Sequence, residues 1–302
     1  MSRPAQIVNA SKLGDFGLRL IGTTDIDGNG THHDVEQVDP MVLFDFVNVK
    51  ATGESTFRPH PHFGLTAMSF LPDKGEWMAW DSLKGDTEDH LHPGGLYYVH
   101  AGAPAFHHEF ASPATVEAGE VVEFVQLVWN ATDEEEVKTV IVQPEDIPVV
   151  TTEDYVVRVM AGECFGVKSV QPFTHRKILY AYIQLLGDGP VDLDLPGGMN
   201  GILFPIEGNV SVNDQTVEEH QMMILDRESG ALSISRSIGS QAARFIVAAG
   251  EPVNKPFHKL LGLGGFIIGD TEQGVRALMK ELSKQAEEIK QEVPHYFPAQ
   301  YL

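Results

Sequence analysis

Between its turns this chain alternates with a period of two, and that habit restricts the fold more than anything else in it. Runs such as Leu65–Leu71, Leu96–His100, Val121–Trp129, Val137–Val142, Tyr155–Met160, Ile178–Leu186, Gly201–Ile206 and Ala243–Ala248 are rich in Val, Ile, Phe and Tyr. Clusters such as Pro72-Asp73-Lys74-Gly75, Gly187-Asp188-Gly189-Pro190 and Gly208-Asn209 separate them. The 29 glycines and 18 prolines exceed ordinary usage, as frequent tight turns require. Short strands punctuated in this way predict an all-β sandwich or barrel. One segment departs from the pattern. Val275, Leu278, Met279, Leu282, Ala286, Ile289 and Val293 recur at helical spacing. Asp270 or Thr271 can cap this segment and Pro294 closes it, which predicts a helix over 271–293 on the outside of a β-domain.

The length of 302 residues suits two domains of ordinary size. A run of acids, Asp133-Glu134-Glu135-Glu136, and the proline-bearing Gln143-Pro144-Glu145-Asp146-Ile147-Pro148 read as an exposed connector. The expected domains are therefore 1–145 and 146–302, with the helix attached to the second. Lys and Arg number 21 against 43 Asp and Glu, a formal charge of −22. Phosphate backbones and anionic lipid repel such a surface, so direct nucleic-acid and membrane binding are excluded as expected functions. The basic pair Arg176-Lys177 is too short for a nuclear-localisation run. No apolar run approaches the roughly 20 residues of a spanning helix. One cysteine, Cys164, rules out an internal disulfide. With no secretory segment near the start, the reading is an intracellular, cytoplasmic protein.

The chemistry lies in the histidines. Seven of the thirteen (His60, His62, His90, His92, His100, His107 and His108) fall within one short stretch, where even spacing would leave about two. In His60-Pro61-His62 the two imidazoles share one face of an extended strand. His107-His108-Glu109 repeats that geometry with a carboxylate. Two such strands meeting inside a barrel offer three nitrogens and one oxygen to a metal. That donor set suits Fe, Mn, Ni, Cu or Zn and leaves open positions for chemistry. His90-Leu91-His92 is the competing pair and is read as a solvated loop. His108 points out of the barrel by alternation, and His100 is either a partner of the site or a core histidine. Cys164 has no base beside it and is read as an inert thiol. Asp192 and Asp194 are read as exposed strand residues. There is no G-x-S-x-G elbow, P-loop or G-x-G-x-x-G.

These residues resemble a known family. Arg58-Pro59-His60-Pro61-His62-Phe63-Gly64, Asp81-Ser82-Leu83, Pro93-Gly94-Gly95 and Ala101-Gly102 before His107-x-Glu109 are similar to the metal site of the pirins. Met160–Gly166 and Ala243–Pro256 resemble the two ends of the second pirin domain. The resemblance implies two tandem cupin barrels (double-stranded β-helix, or jelly-roll) with a C-terminal α-helix. It implies one divalent transition metal in the first barrel, iron foremost, with Mn, Ni, Cu, Co or Zn as alternatives. It places the ligands on His60, His62, His107 and Glu109, the set that strand parity selects. The second barrel carries Pro196–Gly201 where the first has its histidine pair, so it is expected to be metal-free and structural. The chain departs from the family after His62. Where pirins have Arg-Gly-Phe-Glu, it has Phe63-Gly64-Leu65-Thr66. The expected consequence is a pocket of altered charge.

Two readings of function follow from the resemblance. As an enzyme, the chain would be a metal-dependent dioxygenase of the quercetin 2,3-dioxygenase type. It would cleave flavonols or related enol aromatics with O₂ and release carbon monoxide, with Glu109 as the catalytic base and Phe63, Phe106 and Trp80 lining the pocket. As a non-enzyme, it would be a metal-bearing, co-regulator-like module whose acidic surface docks a basic protein partner. A cupin acting on an unrelated substrate is the third possibility.

Overall fold

The computed structural model describes residues 5–15, 17–22, 38–53, 57–85, 87–169, 176–225, 227, 230–237, 239–240, 242–263 and 265–296. Strands dominate them, and they group into two compact units. One unit comprises Met1–Gly14, Leu18–Asp45 and Glu145–Val253, and the other Asp15–Gly17, Phe46–Pro144 and Asn254–Leu302. Each is built on cupin sheets, so the two-cupin architecture with a C-terminal helix holds. The units are not contiguous in sequence, which a single cut at 145/146 does not describe.

The unit around Glu145–Val253 is an apolar sandwich. Its larger sheet runs in the order Ala5–Asn9, Gln221–Leu225, Asn200–Glu207, Ala243–Gly250, Ile178–Leu185, Tyr155–Ala161, Val149–Thr151. The smaller runs Val191–Leu195, Gly230–Arg236, Val210–Val212, Gln215–Val217. Alternation fills the space between them with Val157, Leu179, Ile183, Leu193, Leu203 and Phe245. Val191–Leu195 shows the rule at its simplest, since Asp192 and Asp194 are exposed while its Val and Leu neighbours are buried. The N-terminal strand Ala5–Asn9 belongs here because it pairs antiparallel with Gln221–Leu225.

The unit around Phe46–Pro144 holds the histidine-rich stretch. One sheet runs in the order His258–Gly262, Gly265–Gly269, Phe57–Phe63, Ala105–Ala111, Trp77–Asp81, Glu88–Leu91. The other contains Val137–Val142, Leu96–Ala101, Leu65–Phe70 and Val121–Asn130 as successive neighbours. The chain changes sheets at Gly64, where φ is 71°. A Cβ there would lie 2.3 Å from the Ile268 carbonyl oxygen, so only glycine fits the corner.

The predicted helix forms as Glu272–Glu292, with Thr271 as N-cap accepting from the Gly274 N–H at 3.1 Å. No described helix is long and apolar enough to cross a membrane. The helix packs against the two C-terminal strands of the histidine unit, not against the second cupin to which the sequence reading attached it. The reason is apolar burial. Val275, Leu282 and Ala286 cover Trp80, Phe106 and Ile267, with Phe63, Phe110 and Leu260 at the margin. Leu282 has no exposed surface. Leu282→Ala should therefore cost about 2–5 kcal/mol in thermal or urea unfolding of the histidine unit; a cost below about 0.5 kcal/mol, that of a surface substitution, would show that the helix does not hold this sheet.

Candidate metal centre

Strand parity and register bring three histidines to one point. His60 and His62 project to the inner face of Phe57–Phe63, and His107 lies directly opposite His60 in the antiparallel ladder. Ala105 stands opposite His62, a small side chain beside a large ring. Between the pairs His107↔His60 and Glu109↔Phe57, two residues of the first strand oppose one of the second. The resulting bulge falls at Arg58–Pro59, where Pro59 has no N–H to give to the ladder. In the bulge the Arg58 carbonyl accepts from the His60 Nδ1–H at 2.5 Å. The His62 Nδ1–H donates to the Phe266 carbonyl at 3.0 Å. Both rings therefore present an Nε2 lone pair inward.

The donor atoms of His60, His62 and His107 all lie within 4.8 Å of one another. The His60 and His107 Nε2 atoms are 2.9 Å apart. Two neutral imidazole lone pairs repel at that distance unless a proton or an ion lies between them. Two nitrogens each about 2.1 Å from one ion and near a right angle are about 3 Å apart, which matches. The His62 Nε2 is buried without a hydrogen-bond partner among the described residues. Three convergent imidazoles of this kind fit a transition metal.

The surroundings keep the imidazoles neutral. Burial lowers the pKa of His60 and takes that of His107 well down; it brings His62 to about 3, with His60 adding repulsion. Neutral imidazole is the ligating form, so no proton competes near pH 7. Glu109 is also buried, and desolvation raises its carboxyl to about 7 despite a hydrogen bond from Ser69. Its Oε2 lies 3.9 Å from the His107 Nδ1, outside the group of three histidines.

Other sequence expectations meet different surroundings. His90 lies on an edge strand, Glu88–Leu91, rather than in a loop, because buried Leu91 anchors that strand. Both His90 and His92 are exposed, and His92 faces Glu76 at 3.2 Å. Thr66 does not line the cup. Its parity is opposite to that of Ser69, and its hydroxyl meets the buried His100 Nδ1 at 2.7 Å, with Glu134 3.4 Å from the far nitrogen. His100 is thus a core histidine on the outer face of its sheet. Phe63, Phe106 and Trp80, expected in the pocket, pack under the C-terminal helix. Their positions are out of phase with His60, His62 and His107. His108 points the same way, its ring 4.7 Å from that of Phe110.

Sequence reasoning missed Ser69, Tyr97 and the Phe266 carbonyl. Ser69 and Tyr97 are direct cross-strand neighbours on the inner face. Parity within their strands would have flagged both once the two sheets were known to face each other. No local signal links Phe266 to His62, which lies 204 residues earlier.

Comparison with known proteins agrees with this fold. Residues 180–280 match the pirin C-terminal cupin domain family. Human Pirin is 25% identical over 250 residues, covering 82% of each chain. A crystal structure of quercetin 2,3-dioxygenase from Acinetobacter baumannii superposes with a TM-score of 0.77 at 24% identity, covering 93% of this chain and 96% of that one. The bacterial pirin YhhW from Escherichia coli, crystallised in complex with nickel(II), gives 0.62 at 14% identity, covering 83% and 100%. At those identities the two structures speak for the fold.

Two outcomes are expected. The unfolded chain takes up protons below pH 6.5 that the buried imidazoles of His60, His62, His107 and His108 do not, so these groups withdraw stability as pH falls from 6.5 towards 3. Glu109 acts oppositely: its stabilisation is present below 4.5 and lost as pH rises to about 7. Four imidazoles outweigh one carboxyl, so metal-free protein should melt lower at about pH 5 than at about pH 7.5; a higher Tm at the lower pH contradicts neutral burial. Second, a Cβ on Gly265 would lie 2.1 Å from the Pro61 carbonyl oxygen, between His60 and His62. Gly265→Ala should weaken metal binding on the order of 10–100-fold by displacing that strand, as read by competition with a chelator.

Proposed function

We propose that this pirin-like two-cupin chain is a metal-dependent dioxygenase of the quercetinase type that opens flavonols or related enol-bearing aromatics with O₂. The observation that carries the reading is the pairing of three convergent imidazoles with a buried carboxyl beside them. The chain's similarity to proteins of the pirin and quercetin dioxygenase group supports it. His60, His62 and His107 would hold one divalent transition metal, iron foremost, and Glu109 would complete the set before substrate enters. The bound metal supplies Lewis acidity for the enol oxygen and a redox-active centre for O₂.

The chain's own groups prepare that chemistry. The three neutral imidazoles add no negative charge, so the positive charge of the site remains available to an anionic oxygen. The Arg58 and Phe266 carbonyls fix two of the rings and make them better donors. Glu109, buried beside the histidines, is placed to accept a hydroxyl proton, and Ser69 holds it in place. The apolar layer of Trp80, Phe106 and Ile267 beneath the helix shields one side of the site from water.

Protein reconstituted with Fe, Mn, Ni, Cu or Co should consume quercetin and O₂ together, and His107→Ala should abolish turnover and lower metal content. Full metal occupancy without turnover for any of these ions would reject the quercetinase assignment and leave the interaction-module and unrelated-substrate readings.

A further inference from the structure

We propose that the Tyr97 hydroxyl is a ligand-anchoring hydrogen-bond donor that holds an anionic oxygen of the substrate inside the histidine cup. Tyr97 lies on Leu96–Ala101, in the sheet facing the histidine strands. Its ring is 5.8 Å from that of His107, tilted by 35°. Across the ladder it stands opposite Ser69, the residue that holds Glu109. Tyr97, Ser69, Glu109 and His107 therefore share one inner surface.

The hydroxyl is the unusual feature. Tyr97 is 1% exposed, and its oxygen has no hydrogen-bond partner among the described residues. A phenol is both donor and acceptor and ordinarily finds a partner when buried. One left without is destabilising and calls for an explanation. The neighbouring polar groups do not supply one. The Nδ1–H groups of His60 and His62 are spent on main-chain carbonyls, and the Ser69 hydroxyl is spent on Glu109. What remains to be placed is the one proton that the hydroxyl can donate. Beside a cation-binding cluster, the partner that fits is an oxygen carrying negative charge, the enolate of an enol substrate. The neighbouring Tyr98 cannot share the role, since it shares the opposite face with His100, with rings 6.1 Å apart.

This deepens the proposed function and rests on it only for a metal at the three histidines. The test uses full-length protein loaded with Co(II), whose visible absorption reports binding, and compares wild type with Tyr97→Phe. Phenylalanine keeps the ring, so the fold and the metal content should be retained. The apparent Tm should rise, because a buried hydroxyl without a partner has been removed. Azide, a small anion with no flavonol character, should bind about tenfold more weakly to the variant. Its infrared stretch should lose sensitivity to H₂O/D₂O exchange. Quercetin titrated without O₂ should weaken by a similar factor. Unchanged azide affinity, or metal lost from the variant, would overturn the assignment. Weakened azide binding in a protein that does not bind quercetin would remove the quercetinase reading while retaining Tyr97 as the anion donor.

Discussion

Three imidazole rings, their donor nitrogens held within 4.8 Å of one another in a dry interior, are the constraint to which the rest of the histidine unit answers. Such a cluster is unfavourable by itself. It forfeits hydration, cannot be relieved by protonation at neutral pH, and sets like dipoles end to end. It persists because each ring is over-determined. A bulge at Pro59 places the Arg58 carbonyl on His60, a strand from the far end of the chain places the Phe266 carbonyl on His62, and the ladder fixes His107 opposite His60. The surrounding sheet supplies the stability that the cluster consumes. This is the usual arrangement at a metal site, where ligand geometry is secured before the ion arrives.

The same strands serve two interiors. Their inner face carries His60, His62, His107 and Glu109, while their outer face carries Phe63, Phe106, His108 and Phe110 beneath the C-terminal helix. The histidine cluster and the helix contact are thus opposite sides of one ladder. A change under the helix can reach the histidines through strand position alone. The C-terminal hairpin ties the two together, because Phe266 both pairs with His62 in the sheet and accepts its hydrogen bond. The two departures from the pirin pattern beside the H-x-H also resolve here. Phe63 joins the apolar layer, and Thr66 joins a buried pair with His100, so the inner surface is set by Ser69 and Tyr97 instead.

How much was legible beforehand depended on the range of the interaction involved. The strands, the helix over 272–292 and its N-cap follow from periods and caps written within a few residues. The histidine triad was legible because H-x-H and H-x-E each state a local face. Which sheet face each local face becomes was not legible. Phe63, Phe106 and Trp80 are aromatic residues near the ligands in sequence, and proximity suggested a pocket, yet each is one step out of phase with the strand's inward positions. The helix was placed with the wrong barrel because chain order favours the nearer domain, whereas the apolar surface that needed cover lay on the histidine sheet.

What the sequence by itself determined is the repertoire: two β-rich units, an amphipathic C-terminal helix, and a histidine set of metal-ligating type at strand spacing. These depend on periodicity and side-chain chemistry, which act over short stretches and leave a readable trace. Only the tertiary structure decided which strands face one another. It thereby decided that Phe266 orients His62 from 204 residues away, that Thr66 looks outward, and that Tyr97 looks inward with a hydroxyl unspent. The physical reason is that a strand's two faces are equivalent locally. Burial against a distant partner breaks that equivalence, and nothing within the strand records which partner it will be.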